Sequence, residues 1–420
     1  MDSFEVFVES TMSLRADITN DAQRLLMQES AGAALRTFLQ GERRFSCAGA
    51  GSDNELGSAA ARFAEADASG ATGRRASPDR LVDIISGITA VTRGFREGVR
   101  GYGADRGRGV VRIRSRRYAV SDSDGRLCRE ESLHVHCVAS AVSEGVSGTA
   151  GHAASALSDL TEGTGFDLGR NAAEQAARLA SARQPESGVR AVVFSPKPAG
   201  ILVHEVIGHA LEGDAALAGS ALWGLRGRRF SHEHLTVFDD GRSPDAWERV
   251  LADEEGTPLV EAGLVVHGEV AGPVTDLATA RRLGAPPTGH GRRGGYGQPP
   301  APRVRHTVVR PGTDTPDAII ADTADGVLVE SLDSAEATVR DGRFTLKVAE
   351  AREIRGGVLG ARLTGFSVTG DLTDFGLLDG IGRDTTRYSA LCGRGTNWLP
   401  ISGVAPTLRL PQVMVHKAAA

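Results

Sequence analysis

One segment of the sequence, LVHEVIGHALEGD at residues 202–214, places two histidines and a glutamate inside an otherwise apolar run. An apolar run of this kind is buried on folding, and a buried carboxylate is costly unless a cation or hydrogen-bond donors accompany it. A divalent metal ion supplies such a partner. Neutral imidazoles from His204 and His209 suit zinc, and Glu205 is placed to take a proton from a water that the metal binds. The segment therefore predicts a buried metal-binding helix.

The spacing of the two histidines constrains that helix further. The second follows the first by five residues, and at about 100° per residue such positions point roughly 140° apart on a regular α-helix. A π-bulge would bring them to one face, and Gly208 offers a point where the chain can unwind. We therefore predict a distorted helix at residues 201–211. A core helix with two hydrogen-bonded histidines and a surface glutamate is the alternative, and the segment itself supplies no third ligand.

Composition restricts the class of protein. The chain has 420 residues, enough for two or three domains, and 40% hydrophobic with 24% charged residues is typical of a soluble globular protein. A formal charge of −5 argues against nucleic acid as a partner. No run approaches the roughly 20 apolar residues of a membrane span, and residues 1–13 lack the apolar core of a signal peptide. We therefore expect a cytoplasmic protein with no membrane partner.

The chain divides into two parts by its secondary-structure signals. In the first part, a surface loop is predicted at residues 66–80, a half-buried strand at 131–139, and helices at 18–39, 58–66 and 171–182. In the second part, period-two segments predict strands at 191–194, 235–240, 326–332, 336–340, 344–350, 361–369 and 407–415. With Pro185 ending the last helix of the first part, we predict an α+β fold. An N-terminal α/β domain spans residues 1–188, and a largely antiparallel β domain carrying the distorted metal-binding helix spans 189–420.

At this point the sequence resembles the TldD/PmbA family of metallopeptidases, in particular its TldD-like branch with the HExxxH motif. The motif and the stretch after it are matched by His204, Glu205, His209, Leu211, Glu212, Gly213 and Asp214. The similarity continues through residues 239–241, 253–258, 289–293, 302–303, 391–393 and 406–409, and more weakly through 32–66. It therefore covers nearly the whole chain.

The resemblance implies a complete metal site. By that match Cys392 is the third zinc ligand, which leaves the fourth position of the ion open to water, as in catalytic zinc sites. Zinc would lower the pKa of that water, and Glu205 would act as general base and then return the proton to the leaving amine. No role is predicted for Cys47 and Cys128, while Cys137 on a buried strand face is expected to be a core residue.

The resemblance also implies a substrate and a partner. Family members hydrolyse peptide or amide bonds and hold an extended backbone partly by strand pairing, which gives affinity without sequence preference. They work as a heterodimer with a related TldE/PmbA-like subunit that lacks the metal motif. This chain departs from the family pattern at residues 304–307 and 394–397. Two other functions therefore stay open: a dedicated amide hydrolase or deacylase of specialised, natural-product biosynthesis, and a noncatalytic peptide-binding subunit with a structural metal.

Other polar residues are candidates for supporting roles. The glycine-rich segment 289–297 lacks the lysine of a phosphate-binding loop and is interpreted as a mobile loop near the cleft. Within it, His290, Arg292 and Arg293 could contact substrate, or form a solvated basic turn. His232 and His234 alternate as on one strand face and could line the pocket, or be plain surface residues. Asp214 is predicted, ahead of Glu212, to orient a ligand imidazole.

Overall fold

Strands dominate the regular structure, as the many period-two segments predict, and the fold is α+β. The computed structural model describes residues 3–39, 42–50, 52–58, 61, 78–394 and 397–418. The helix predicted at 58–66 and the loop predicted at 66–80 lie mainly outside these residues. No helix in the described ranges is long and apolar enough to cross a membrane.

The N-terminal sheet has six strands, each antiparallel to its neighbours, in the order β3-β2-β1-β4-β5-β6. Its strands are β1 Ser3–Thr19, β2 Gln23–Leu39, β3 Glu42–Gly49, β4 Arg106–Asp122, β5 Leu127–Ser143 and β6 Val146–Ala154. Two helices, α1 Pro78–Gly101 and α2 Glu162–Ala180, pack on one face through a shared apolar core. The predicted strand at 131–139 lies within β5, and the predicted helix at 171–182 forms most of α2.

The helix predicted at residues 18–39 is wrong. This stretch contains the end of β1 and all of β2, joined by a tight turn in which the Thr19 N–H donates to the Ala22 carbonyl at 2.9 Å. Alanine and leucine give the segment a high helix propensity. Pairing with β1 over the length of β2 overrides that local preference. Tertiary pairing, which a helical pattern does not reveal, therefore decides this segment.

The second part of the chain forms two large sheets and one small one, mostly antiparallel. One sheet has the order β14-β7-β21-β17-β15-β16; pairing of β14 with β15 closes five of its strands into a ring, and β18 adds to β21. Its strands are β7 Gly188–Phe194, β14 Asp325–Thr338, β15 Arg343–Arg355, β16 Val358–Leu363, β17 Phe366–Gly370, β18 Gly380–Ile381 and β21 Leu408–Lys417.

The other large sheet carries one of the predicted ligands on its edge strand. Its order is β10-β9-β8-β13-β20-β19. The strands are β8 Val237–Asp239, β9 Ala262–Val266, β10 Glu269–Val270, β13 His306–Val309, β19 Thr386–Arg394 and β20 Asn397–Ala405, and the small sheet pairs β11 Gly291–Arg292 with β12 Ala301–Pro302. The metal-motif helix lies against both large sheets, in one apolar core.

Short helices complete the second part. The α-helices are α3 Pro196–Val203, α4 Gly213–Leu217, α5 Leu277–Leu283, α6 Pro316–Ala321 and α7 Leu372–Gly376. Single 3₁₀ turns lie at His209–Leu211 and Trp223–Leu225 in this part, and at Leu157–Asp159 in the first part.

Buried ion pairs join the N-terminal sheet to the second part of the chain. Arg116 of β4 donates to Glu254 at 2.7 and 3.0 Å and to Glu9 of β1 at 2.7 Å. Arg293 pairs with Glu5 across the same junction. These charges are nearly inaccessible to solvent, so each depends on its partner for stability. The last strand of the N-terminal sheet, β6, ends at Ala154, and the first strand of the second part, β7, begins at Gly188. We therefore propose that the chain has two domains, residues 1–188 and 189–420.

Candidate metal centre

The metal-motif helix is distorted where the spacing predicts. Regular α-helix α3 ends at Val203, a π-helical turn covers His204–Gly208, and a 3₁₀ turn follows at His209–Leu211. The widened turn brings the rings of His204 and His209 to a centroid distance of 4.6 Å. Gly208 itself has φ −54° and ψ −61°, which any residue can adopt. The π-bulge is therefore confirmed, and it does not use the conformational freedom of glycine.

Cys392 meets the two histidines from the opposite side of the site. It lies on β19, whose only neighbouring strand among the described residues is β20. Its Sγ is 3.2 Å from Nε2 of His209, although the two residues are 183 positions apart in the chain. One ligand atom each from His204, His209 and Cys392 can be chosen so that all lie within 4.8 Å of one another. The structure thus brings together the three residues predicted as ligands.

The donor set fits a divalent cation. Both ring nitrogens of His204 are buried and have no hydrogen-bond partner among the described residues. Burial, with His209 next to it, lowers the pKa of His204 to about 3, so the imidazole is neutral and able to donate a lone pair. At His209, burial lowers the pKa, but the Glu212 carboxylate and the Cys392 sulfur outweigh burial and raise it well above its usual value. The surroundings of His209 therefore favour positive charge.

Glu205 borders the same space. Its Oε1 lies 4.0 Å from Nε2 of His209. Burial raises the pKa of Glu205, with Glu212 and Glu336 adding to the rise, while His209 and a hydrogen bond from the Ala337 N–H act in the other direction. A rise in pKa is the direction expected of a carboxylate that accepts a proton and later releases it.

A carboxylate orients His209, but it is Glu212 and not the predicted Asp214. Glu212 is fully buried, and its Oε1 lies 3.2 Å from Nδ1 of His209. This contact directs Nε2 toward Cys392. Asp214 instead accepts from Arg303 at 3.1 Å, and the same guanidinium group donates to Glu212 at 3.3 Å. Helix α4 begins with Gly213, so the chain turns between the two carboxylates and only the first points back to the ring.

Two cavities meet at the three candidate ligands. An open groove of about 840 Å³ is lined by Glu205 and by two strand segments, residues 332–338 of β14 and 390–393 of β19. An inner cavity of about 220 Å³ extends from the other side, lined by Arg292, Arg303, Val304, Gln298, Leu399 and Pro299 among others. His204, His209, Cys392 and Ile401 line both.

Residues 290–293 of the segment 289–297 are buried, so the alternative of a solvated basic turn is wrong for these residues. His290 is fully buried and contacts Asp239 at 3.1 Å, and Arg293 is paired with Glu5. Arg292 is also buried, donating to Glu248 at 2.6 Å, yet it lines the inner cavity. Adjacent arginines have the same sequence pattern whether they are exposed to solvent or buried in ion pairs. The sequence therefore does not predict their carboxylate partners.

His232 and His234 do not lie on a strand, contrary to the prediction. Both residues precede β8, which starts at Val237, and they lie in a turn with ring centroids 5.2 Å apart. His234 is exposed, His232 is partly buried, and neither is among the residues that line the two cavities. Cys137 is a core residue as predicted, and its burial raises the thiol pKa to about 12.

One contact that supports the inner cavity was not foreseen. Gly294, Gln298 and Pro299 form part of its wall, and Tyr296 between them packs against β2. A methyl group added at Gly32 of β2 would lie 2.3 Å from the Tyr296 ring. The only sequence signal is a glycine in a strand, which often marks a close approach.

Comparison with known proteins identifies the family. The model of the PmbA/TldA metallopeptidase C-terminal domain matches residues 187–417, more than half of the chain. The chain belongs to the PmbA/TldD family. A metalloprotease of Methanothermobacter thermautotrophicus is 30% identical over 251 residues, 59% of this chain and 55% of that protein. A zinc metalloprotease TldD homolog of Saccharolobus solfataricus is 26% identical over 233 residues, 55% and 52% of the two chains.

These alignments span about half the length of the relatives. Solved structures match the fold over nearly the whole chain. TldE from Thermococcus kodakarensis superposes with a TM-score of 0.72 and 18% identity, covering 99% of this chain and 96% of that one. A Thermotoga maritima protein named as a proposed modulator of a DNA gyrase superposes with a TM-score of 0.77 and 15% identity, with the same coverage. The N-terminal sheet is therefore also part of the fold of these proteins.

Proposed function

We propose that this chain is a zinc-dependent hydrolase of peptide or amide bonds. His204, His209 and Cys392 would hold the ion, and Glu205 would be the general base. The observation that carries the proposal is the convergence of three donor atoms within 4.8 Å, beside a carboxylate 4.0 Å from one of them. The names of related metalloproteases support the same reaction class.

The residues of the chain have separate tasks in this proposal. When bound, zinc supplies Lewis acidity toward water and toward a substrate carbonyl. Glu205 accepts the proton of the attacking water and passes it to the leaving amine, steadied by the Ala337 N–H. Glu212 fixes the ring of His209, so that its Nε2 and not its Nδ1 faces the site.

An extended peptide is the substrate class that the groove favours. Strand β7 pairs with β14 only as far as Val329, so within the described part of the chain residues 332–338 have β15 as their one neighbouring strand. Across the groove, β19 is the edge of its sheet. Free strand edges on both sides offer backbone donors and acceptors to an extended chain. A subunit related to TldE remains the proposed partner, and purification of the chain with and without such a subunit tests this.

The variant Glu205→Gln tests whether the bound metal is catalytic or structural. We expect zinc content to stay at the wild-type level while hydrolysis of unfolded peptides falls by about 10²–10⁴-fold, the usual contribution of a general base. The matched control is Glu233→Gln, an exposed carboxylate that lines neither cavity, which should retain activity. Undiminished hydrolysis by Glu205→Gln would refute the assigned base.

The same assay distinguishes the substrate alternatives. Peptides of many sequences and small acylated amines are offered side by side to the purified chain. Cleavage of many peptides supports the proposed peptidase, whereas turnover confined to one small amide supports a dedicated biosynthetic hydrolase. If zinc is bound but neither class is cleaved, with or without the related subunit, the hydrolase proposal is contradicted.

A further inference from the structure

The wall of the inner cavity carries more positive than negative charge. The cavity has a volume of about 220 Å³, below the roughly 300–1,000 Å³ of pockets that take a drug-sized ligand, so it suits a single side chain or a chain end. Two guanidinium groups line it, those of Arg292 and Arg303, and Glu212 is the one carboxylate among the described residues that do so. Apolar side chains complete much of the wall: Pro299, Ala301, Val304, Leu399 and Ile401.

The carboxylate of the wall already has partners, whereas Arg303 keeps donors in reserve. Oε1 of Glu212 contacts Nδ1 of His209 at 3.2 Å, and its Oε2 accepts from Nη1 of Arg303 at 3.3 Å. The same Nη1 donates to Asp214 at 3.1 Å. Nε and Nη2 of Arg303 have no hydrogen-bond partner among the described residues. Arg303 can therefore hold Glu212 and still donate to another acceptor.

Arg292 is fixed in place with one nitrogen unpartnered. Its buried guanidinium group donates from Nη1 to the Val304 carbonyl at 2.9 Å and from Nη2 to the Pro400 carbonyl, also at 2.9 Å. Nη2 donates in addition to Glu248 at 2.6 Å. Nε is buried and has no hydrogen-bond partner in the part of the chain that the structure describes. A buried charged donor without an acceptor is destabilising, so a ligand that supplies the acceptor would be favoured here.

Behind Arg292, two arginines share one carboxylate. Oε2 of Glu248 accepts from Arg292 at 2.6 Å and from Arg305 at 2.8 Å. Burial raises the pKa of Glu248, but these two guanidinium groups outweigh burial and hold it well below its usual value, so the carboxylate is ionised. The next carboxylate, Glu254, lies 4.0 Å from Arg305 and already pairs with Arg116. The positive charge of Arg292 is therefore only partly balanced.

We propose that the inner cavity binds a carboxylate of the peptide substrate, next to the bond that is cleaved, through Arg292 and Arg303. The inference rests on the proposed hydrolase function. A carboxylate would supply an acceptor to both guanidinium groups. Two sources share this chemistry, an acidic side chain and the C-terminal carboxylate of the peptide. The strand edges of the groove would hold the backbone without sequence preference, and the cavity would add specificity for charge.

Peptide binding to the zinc-loaded variant Glu205→Gln tests the proposal, because this variant should hold a peptide without cleaving it. Fluorescent, acetylated alanine peptide amides carry one Glu, Gln, Leu or Lys at successive positions, and anisotropy measures their affinity. At one position the Glu peptide should bind at least about tenfold more tightly than the Gln peptide, as expected for hydrogen bonds to a charged group.

A second comparison identifies the source of the carboxylate. An alanine peptide with a free C-terminus is compared with its C-terminal amide. A preference for the free acid, at least about tenfold, assigns the cavity to the chain end, whereas a preference only for Glu over Gln assigns it to an acidic side chain. Equal affinities in both comparisons, or tightest binding of the Leu or Lys peptide, overturn the proposal.

A charge added to the wall tests the location. Gln298→Glu introduces a carboxylate at a partly exposed position of the cavity wall and should weaken binding of the preferred carboxylate peptide by at least about tenfold, leaving its neutral counterpart unchanged. The matched control is Gln184→Glu, also partly exposed, which lines neither cavity and should keep the preference. An unchanged preference in Gln298→Glu overturns the proposal.

Hydrolysis of the same peptides by the wild type separates this proposal from the proposed function. Binding that depends on the carboxylate, without any hydrolysis, contradicts the hydrolase assignment and supports the cavity assignment. Hydrolysis that is equally fast with Glu and Gln, and with acid and amide, supports the hydrolase and overturns the cavity assignment.

Discussion

Acid should lower the stability of this protein through one buried and one partly buried histidine outside the candidate metal centre. His134 and His136 project from the same face of β5 against Trp247, with ring centroids 5.5 and 5.9 Å from the indole. Both ring nitrogens of His134 lack hydrogen-bond partners among the described residues. Burial lowers the pKa of each imidazole to about 4, and for His134 the nearby Glu248 only partly offsets this. Both rings are therefore neutral in the folded protein at neutral pH.

The size of the effect follows from the pKa difference between folded and unfolded states. An unfolded histidine titrates near 6.5, so between about pH 4 and 6.5 the unfolded state binds more protons and stability falls as pH falls. At pH 5 the loss relative to pH 8 is about 2 kcal/mol for each imidazole, and it approaches about 3 kcal/mol below pH 4. Two such losses are a large part of a typical free energy of unfolding.

Urea unfolding of His134→Gln at pH 8 and pH 5, followed by Trp fluorescence, measures the loss of stability that is due to protonation of His134 in the unfolded state. At pH 8 the variant reports the cost of the substitution itself, because the imidazole is neutral in both states. Between pH 8 and pH 5 the variant should lose about 2 kcal/mol less than the wild type, with an unchanged denaturant slope. Equal losses in the two proteins would refute the argument that burial keeps His134 neutral.

Three further substitutions test packing and charge. Gly32→Ala should lower the free energy of unfolding by about 1–3 kcal/mol, measured by thermal unfolding, because the added methyl group lies 2.3 Å from the Tyr296 ring. In a Tyr296→Ala background most of this loss should disappear. Arg116→Met should lower the free energy of unfolding by about 3–5 kcal/mol, because it removes the guanidinium group that pairs with the buried carboxylates of Glu254 and Glu9. A smaller loss by urea unfolding would count against these ion pairs. Gly208→Ala should bind zinc as tightly as the wild type in a competition titration, because its right-handed backbone and ordinary contacts of 3.5 Å and more accommodate a methyl group.

Local features of the metal centre could be predicted because they depend on spacing. His209 follows His204 by five positions, and on a helix the rings converge at this spacing only if one turn is widened. The position of the third candidate ligand, Cys392, depends on how β19 packs beside the helix, and no rule of sequence spacing applies to two residues 183 positions apart. Cys392 was therefore identified by family resemblance alone. The choice between Glu212 and Asp214 was wrong because the backbone turns at the start of α4, between the two residues.

The larger errors concern segments whose partners lie far away in the sequence. Residues 18–39 have helical composition but become strand by pairing with β1. The arginines at 292–293 suggest solvent, yet each is neutralised by a carboxylate from elsewhere in the chain, Glu248 or Glu5. Composition and periodicity describe a segment by itself. Burial of its charges is a property of the assembled fold.

We propose above that two imidazoles and one thiolate hold a single zinc ion. Elemental analysis combined with a zinc competition titration tests it on the wild type and on Cys392→Ser, with Cys47→Ser as the control at an exposed cysteine. We expect one zinc per chain in the wild type and the control, and an affinity lower by at least about 100-fold in Cys392→Ser. Full zinc content with unchanged affinity in Cys392→Ser would show that Cys392 is not a ligand.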